Sequence, residues 1–328
     1  MKQMKNKLAG INGLVKKHNR FLITSHQDPD GDSIGSQMAF YYMLKNLGKE
    51  AVMVNQGSVP AKYKFLDPQN TISFAADGLP FEPEIVVVLE CPTLERIGFV
   101  KDLIPESAAI INIDHHNDNE KYGEINVVEE HSSAVAEILY FLFEEGELEI
   151  TPAIAEQLYA GISSDTGRFR FQSTTSRSML VASRLIQKGA NPKEIADNLY
   201  SGMSSSTMQL LGLTLSSLRI LAGGKIGYFT ISMDDLKKSG ATMENSEGFV
   251  DFVLSVNGVR MGLLFKELSD NLVKVSVRSQ NGYDSLGLAI KFGGGGHTNA
   301  AGFTQDGKLD TVVKNVIEQA VEYIGEIN

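Results

Sequence analysis

A short apolar run, FLIT at residues 21–24, ends in SHQDPDGDS, which sets one histidine and three aspartates within the seven residues 26–32. SIGSQMAFYYMLKNL follows at once with apolar side chains at helical spacing, and Gly48 closes it. A strand, a tight polar loop and a helix in this order commit the chain to a βα architecture. Asp28, Asp30 and Asp32 ionise well below neutral pH, and carboxylates this close resist sharing a site unless a cation neutralises them. A divalent metal is the simplest resolution. The same string also fits an ordinary Asp-Pro-Gly surface turn. An EF-hand loop starting at Asp28 is excluded, because it would need Gly and Glu where the chain has Ser33 and Ala39. Gly31-Asp32-Ser33-Ile34-Gly35 matches the nucleophile elbow G-x-S-x-G, so an esterase using Ser33 is a rival, although no HGGG oxyanion loop precedes it.

Further strands are expected at 51–55, 85–89 and 109–113; the run Ile-Val-Val-Val-Leu at 85–89 suits a parallel sheet buried on both faces. A helix is expected at 3–20, another over 132–145, and another from Thr151-Pro152 to about residue 163, where Thr caps and Pro occupies the first helical position. Residues 176–188, 192–200 and 204–221 have helical spacing. From Lys225 the pattern restarts, with strands near 226–231, 259–265 and 273–279 and helices near 247–254, 285–291 and 309–324. The reading is α/β: a mostly parallel sheet flanked by helices over 1–190, a helical connector over 191–222, and a smaller α/β domain over 223–328.

In open parallel sheets ligands gather at the carboxyl ends of the strands, and His26, Glu90 and Asp114 each follow an expected strand. Asp114-His115-His116 adds two imidazoles, and histidine mixed with carboxylate favours a transition metal such as Mn²⁺ over Mg²⁺. The net charge of −10 argues against coating long duplex nucleic acid, while a short anionic substrate held by metals and a few arginines is compatible with it. No run approaches the length of a membrane span, and the amino-terminal MKQMKNKLAGING lacks the apolar core of a leader. The single cysteine, Cys91, allows no internal disulfide, so a cytoplasmic protein is expected. Cys91 lacks the arginine spacing of a phosphatase nucleophile and reads as a buried thiol.

His26-x3-Asp30-x-Asp32, Glu90, Asp114-His115-His116 and Asp165 in SSDTG resemble, in order, the four motifs of the DHH phosphoesterases. GGGGHTNAAG at 293–302, with Val277-Arg278-Ser279, resembles their DHHA1 domain, and the layout is most similar to the NrnA-type oligoribonucleases that also dephosphorylate 3′-phosphoadenosine 5′-phosphate. The resemblance implies that His26 and Asp30 hold one cation, that Asp32, His115 and Asp165 hold a second, and that Glu90 bridges them. Such a pair about 3.5–4 Å apart acidifies a water and clamps the phosphoryl group. Mn²⁺ is the expected metal, with Mg²⁺ or Co²⁺ as alternatives. His116 would contact the scissile phosphate and protonate the leaving group, and Asp114 would orient a histidine. Glu90 departs from the family's usual Asp by one methylene. Gly294, Gly295, Gly296, His297 and Arg278 would grip a substrate phosphate, whereas Arg168, Arg260, His18 and His131 read as solvated or local. The substrates expected are short single-stranded RNA or a nucleotide, with no membrane partner; linear or cyclic signalling dinucleotides, a degraded binding-only site and a homodimer are left open.

Overall fold

The computed structural model describes residues 2–74, 78–200, 203–280 and 282–326. The chain divides into two compact units, Met1–Gly202 and Met203–Asn328. The first runs α1 (Lys2–Lys17), β1 (Arg20–Thr24), α2 (Gly31–Asn46), β2 (Glu50–Val54), β3 (Ile72–Ser73), β4 (Ile85–Leu89), β5 (Ala109–Asp114), β6 (Ile125–Val128), α3 (Val135–Glu145), α4 (Pro152–Asp165), α5 (Ser176–Gln187) and α6 (Pro192–Tyr200). The second runs α7 (Ser205–Ser216), β7 (Arg219–Leu221), β8 (Ile226–Ile231), α8 (Met233–Ser239), α9 (Asp251–Leu254), β9 (Met261–Ser269), β10 (Leu272–Ser279), α10 (Ser285–Lys291), β11 (Gly295–His297), β12 (Ala300–Asp306) and α11 (Leu309–Glu326). Among the described residues no helix is long and apolar enough to cross a membrane.

The first sheet is parallel throughout, in the order β3-β2-β1-β4-β5-β6. The order reverses between β1 and β4, and the crevice outside the carboxyl ends of two such strands is where open α/β sheets bind ligands. Successive side chains alternate between two cores: Phe21, Ile23, Ile85, Val87 and Leu89 face the α-helices, while Leu22, Val86 and Val88 face the other side. That other side is covered by the 3₁₀ segment Leu94–Leu103, through Ile97 and Val100, rather than by an α-helix. Burial on both faces explains why β4 is apolar at every position.

Helix α2 is buried almost all round over its first ten residues, between the sheet and α4. The close approach depends on missing side chains, since a Cβ at Gly35 would lie 2.5 Å from the Gln157 carbonyl oxygen and one at Gly31 2.5 Å from Ser164 Oγ. The stretch expected to connect the domains is shared between the units: Ile195 of α6 joins the first core, and Leu210 and Leu211 of α7 join the second.

The second sheet is mixed, in the order β11-β12-β10-β9-β8-β7, with only β8 and β9 parallel. Val273, Val275 and Val277 of β10 face the core under α10 and α11, whereas Phe229, Ile231 and Leu264 face α7 and α9. Two readings of the sequence change here. The helix expected over 204–221 stops at Ser216, and Arg219–Leu221 pairs with β8 as an edge strand; Ser217 Oγ makes the corner by donating to the Thr230 carbonyl and accepting from its N–H. The helix expected over 247–254 is a single turn from Asp251, preceded by a 3₁₀ turn at Met243–Ser246. The glycine run is in part a strand, its Gly295–His297 paired with β12.

Candidate metal centre

The loop after β1 and the first turn of α2 are built by capping. Asp30 is the N-cap of α2: its carboxylate accepts from the N–H groups of Asp32 (3.1 Å) and Ser33 (2.9 Å), and Ser33 Oγ accepts from the Asp30 N–H at 2.8 Å. This use of Ser33, which is fully buried, disposes of the esterase rival: its hydroxyl completes a capping box instead of facing a histidine base. Asp32 caps a second helix from a distance. Residue 134, the N-cap of α3, is alanine and has no side-chain acceptor, and Asp32 accepts from Val135 N–H at 2.5 Å and Ala136 N–H at 2.9 Å. Gly161 on α4 makes the room, since a Cβ there would stand 2.6 Å from Asp32 Oδ1.

Glu90 follows β4 directly, in a left-handed conformation (φ 51°), with its N–H bonded to the Ile113 carbonyl at 2.9 Å. Its Oε2 lies 3.2 Å from His26 Nε2. His115 has one tautomer set for it: Nδ1–H donates to the Ser132 carbonyl at 3.1 Å, so the lone pair of Nε2 points toward Asp165 Oδ2, 3.3 Å away. The Ser132 carbonyl belongs to a turn clamped by Arg177, which donates to the buried Glu137 and to Ser132 Oγ (2.9 Å). Asp165 is the last residue of α4 rather than part of the following loop, and a carboxylate at a helix C-terminus meets the unfavourable end of the dipole.

Two donor sets result, His26-Asp30-Glu90 and Asp32-Glu90-His115-Asp165, each with ligating atoms within 4.8 Å of one another and with Glu90 in both. A third set, Glu90-His115-His116, overlaps the second. Burial holds Glu90 well above the usual carboxylate range, with Asp30, Asp32 and Asp165 pushing it further. Asp165 is raised well above its range by burial and then by Asp32 and Asp30. Asp32 is raised to about 6 by burial, against the pull of His115. Burial also lowers His26, with Arg96 adding to it and Asp30 opposing. Carboxylates that resist ionising and a histidine that resists protonation are short of a cation. His26 Nδ1 is buried with no hydrogen-bond partner among the described residues. The mixed N/O donors, the fixed His115 tautomer and the shared carboxylate fit a pair of divalent ions.

Asp114 and His116 sit at the edge of this cluster. His116 Nδ1–H donates to Asp114 Oδ1 at 2.8 Å; the same oxygen takes the His115 N–H at 2.8 Å, and Asn119 Nδ2 donates to Oδ2 at 2.6 Å. Burial works to raise Asp114, but the His116 hydrogen bond and charge bring it below its usual value. That bond in turn raises His116, against burial and Arg96. His116 keeps a side-chain exposure of 36%. Asn119 and Arg96 carried no motif and escaped sequence reasoning; Arg96 is set beside the site by its carbonyl, which accepts from Gln27 N–H at 2.8 Å.

In the second unit Arg278 Nε lies 3.5 Å from Asp251 Oδ1. Lys266, paired across the strands with Lys274, is lowered first by burial and then by Lys274, with Arg278 also contributing. The glycines have packing reasons of their own. The N–H groups of Gly293 and Gly294 close α10, and a Cβ at Gly296 would meet the Ala300 carbonyl oxygen at 2.5 Å. Gly295 pairs with Gly302 and has open space where a Cβ would stand. The side chain of His297 lies outside the described residues. Arg260 is exposed and bonds Gln280, Arg168 and His131 are exposed, and His18 lies 3.5 Å from Glu84.

Residues 20–162 match the DHH family, N-terminal domain, and residues 223–325 match the DHHA1 domain. The chain is 33% identical over 301 residues to a bifunctional oligoribonuclease and PAP phosphatase NrnA of Thermus thermophilus, covering 92% of this chain and 89% of that one. It is 30% identical over 291 residues to the NrnA of Bacillus subtilis, covering 88% and 90%. A crystal structure of an exopolyphosphatase-related protein from Bacteroides fragilis is similar with a TM-score of 0.87 and 28% identity, over 97% of this chain and 96% of that one.

Proposed function

Because the chain belongs to the DHH family of metal-dependent phosphoesterases, with a DHHA1 domain in its second unit, we propose that it hydrolyses short oligoribonucleotides to mononucleotides and removes the 3′-phosphate of 3′-phosphoadenosine 5′-phosphate. The observation that carries this reading is the pair of donor sets sharing Glu90 at the carboxyl ends of β1 and β4. His26 and Asp30 would hold one divalent ion, Asp32, His115 and Asp165 the other, and Glu90 both. Bound there, the ions supply a water of lowered pKa and neutralise charge on the phosphoryl oxygens. The histidine ligands favour Mn²⁺.

The chain's own residues set the geometry of the reaction. Asp32 and His115 are held by the start of α3 and by the turn before it, so both are aimed before substrate arrives. Asp114 accepts the His116 Nδ1–H and raises the imidazole's pKa, which would suit His116 to donate from Nε2 to a phosphoryl or leaving-group oxygen. Lys266, Lys274 and Arg278 lie near one another in the second unit, a cationic group suited to an anionic ligand. Few such cations in a chain of net charge −10 favour short substrates over long ones.

The test is a paired assay of metal-stripped protein re-supplied with Mn²⁺, on a 5′-labelled pentaribonucleotide and on 3′-phosphoadenosine 5′-phosphate, with Asp32→Ala as control. Mononucleotide release that disappears in Asp32→Ala is expected. Silence on both substrates with Mn²⁺ bound would overturn the reading in favour of a binding protein.

A further inference from the structure

The side chain of Arg96 stands beside the metal centre with no structural task there. It belongs to the 3₁₀ segment Leu94–Leu103 that follows Glu90, and its neighbours on that segment are committed elsewhere. Leu94 and Ile97 pack into the core on that side of the sheet, and the adjoining Glu95 carboxylate accepts from Lys101 Nζ at 2.8 Å. The Arg96 backbone is fixed: its N–H donates to the Thr93 carbonyl at 3.2 Å, and its carbonyl accepts from Gln27 N–H at 2.8 Å. Gln27 is next to His26, so this bond sets Arg96 against the loop that carries His26 and Asp30. The guanidinium itself is half-buried and forms no hydrogen bond or ion pair among the described residues.

Its charge nevertheless acts on three sides. It opposes protonation of His26 after β1 and of His116 after β5, and it favours the thiolate of Cys91 after β4. That places it at the carboxyl ends of three adjacent strands, where the order of the sheet reverses. The charge balance of the site gives such a cation a use. The four carboxylates of the two donor sets, Asp30, Asp32, Glu90 and Asp165, cancel the charge of two divalent ions. Asp28 and Asp118, both exposed, add negative charge near His26 and His116, and neither pairs with Arg96. An anionic phosphoryl group entering there needs a further positive group.

We propose that Arg96 is a phosphate-binding residue of this site, its guanidinium donating to the non-bridging oxygens of the phosphoryl group under attack. This rests on the phosphoesterase reading and names a contact outside the four motifs. The planar fork of donors matches a pair of phosphoryl oxygens, and its bonds strengthen as charge builds on them, so Arg96 favours the transition state over the bound substrate. The contact is to phosphate alone, so it serves a diester and a terminal monoester alike.

Arg96→Ala removes the guanidinium and leaves the core intact, so Tm and Mn²⁺ affinity should stay at wild-type values. On a pentaribonucleotide and on 3′-phosphoadenosine 5′-phosphate it should lose about 100-fold in kcat/KM, most of it in kcat. Millimolar guanidinium should restore at least about 10-fold of that to Arg96→Ala and nothing to Asp32→Ala, a rescue that a packing defect would not show. Inorganic phosphate titrated into Mn²⁺-loaded protein, read by calorimetry, should bind Arg96→Ala at least about 10-fold more weakly than wild type. Equal phosphate affinity in the two proteins, a rate loss that guanidinium leaves unchanged, or a loss of Mn²⁺ affinity as large as the loss of rate overturns the proposal. If the wild-type protein hydrolyses neither substrate, the functional reading fails, and the phosphate titration still decides the role of Arg96.

Discussion

Replacing Gly161 by alanine adds one methyl group at the point where α4, α2 and α3 meet. The new Cβ would stand 2.6 Å from Asp32 Oδ1 and 2.8 Å from Ala136 Cβ. Carbon atoms in contact sit about 3.5–4.0 Å apart, so relief requires about 0.7 Å of movement. Asp32 and Ala136 cannot part to provide it, because the Ala136 N–H donates to that same Oδ1 at 2.9 Å. Either α4 moves away, taking Asp165 with it, or the Asp32 carboxylate turns and gives up the bonds from Ala136 and Ser36. Overpacking costs about 1–3 kcal/mol, and exchanging a helical glycine for alanine returns about 1 kcal/mol. The net of about 0–2 kcal/mol lowers Tm by no more than about 8 °C in a unit of this size. The site suffers more, since a misplacement of about 1 Å in a reacting constellation costs on the order of 100-fold. Gly161→Ala should therefore melt no more than about 8 °C below wild type while losing at least about 10-fold in turnover of a pentaribonucleotide and in Mn²⁺ affinity, read by calorimetry. Gly13→Ala is the control: that glycine is also helical and has nothing within 4 Å of the added Cβ, so it should gain slight stability and keep full activity. A folded Gly161→Ala protein with metal affinity and rate within twofold of wild type would refute the argument.

Glu90→Asp shortens the shared carboxylate by one methylene, and although Asp tolerates the left-handed backbone better, its oxygens should reach only one donor set; Mn²⁺ titration should then show one site weakened at least about 10-fold. Arg177→Met keeps the bulk against Phe141 but leaves Glu137 without its partner, so the Ser132 turn and His115 lose their clamp; Tm should fall by several degrees and Mn²⁺ affinity with it, whereas a drop in Tm alone would show that the pair does not reach the site. Cys91 is fully buried and its thiol is pushed up to about 12, chiefly by burial, so a thiol reagent at pH 8 should find no reactive group until denaturant releases one equivalent; rapid labelling of the native protein would contradict this.

Much of the candidate site was legible because the first sheet is parallel. When FLIT, IVVVL and AIINI each end at a charged or imidazole-bearing stretch, parallel pairing brings those ends to one edge, and the order of the motifs then names His26, Glu90 and His115 as neighbours. The Thr151-Pro152 start of α4 was equally plain, since capping chemistry is local. Strands of two to four residues, such as β3, β6, β7 and β11, have too few side chains to show a period, and the last was hidden inside a run of glycines.

The sequence by itself determined the elements whose signal is local: the apolar runs that must be buried, the caps that start helices, and the acidic and imidazole residues placed where strands end. Only the tertiary structure decided how those residues are held. Asp32 caps a helix 103 residues downstream, Arg177 reaches back 40 residues to Glu137, and Gly161 leaves the space that the Asp32 carboxylate fills. The reason is physical: periodicity and capping report interactions within a few residues, whereas the partner of a buried carboxylate and the tolerance for a single methyl group depend on which distant backbone segments pack against it.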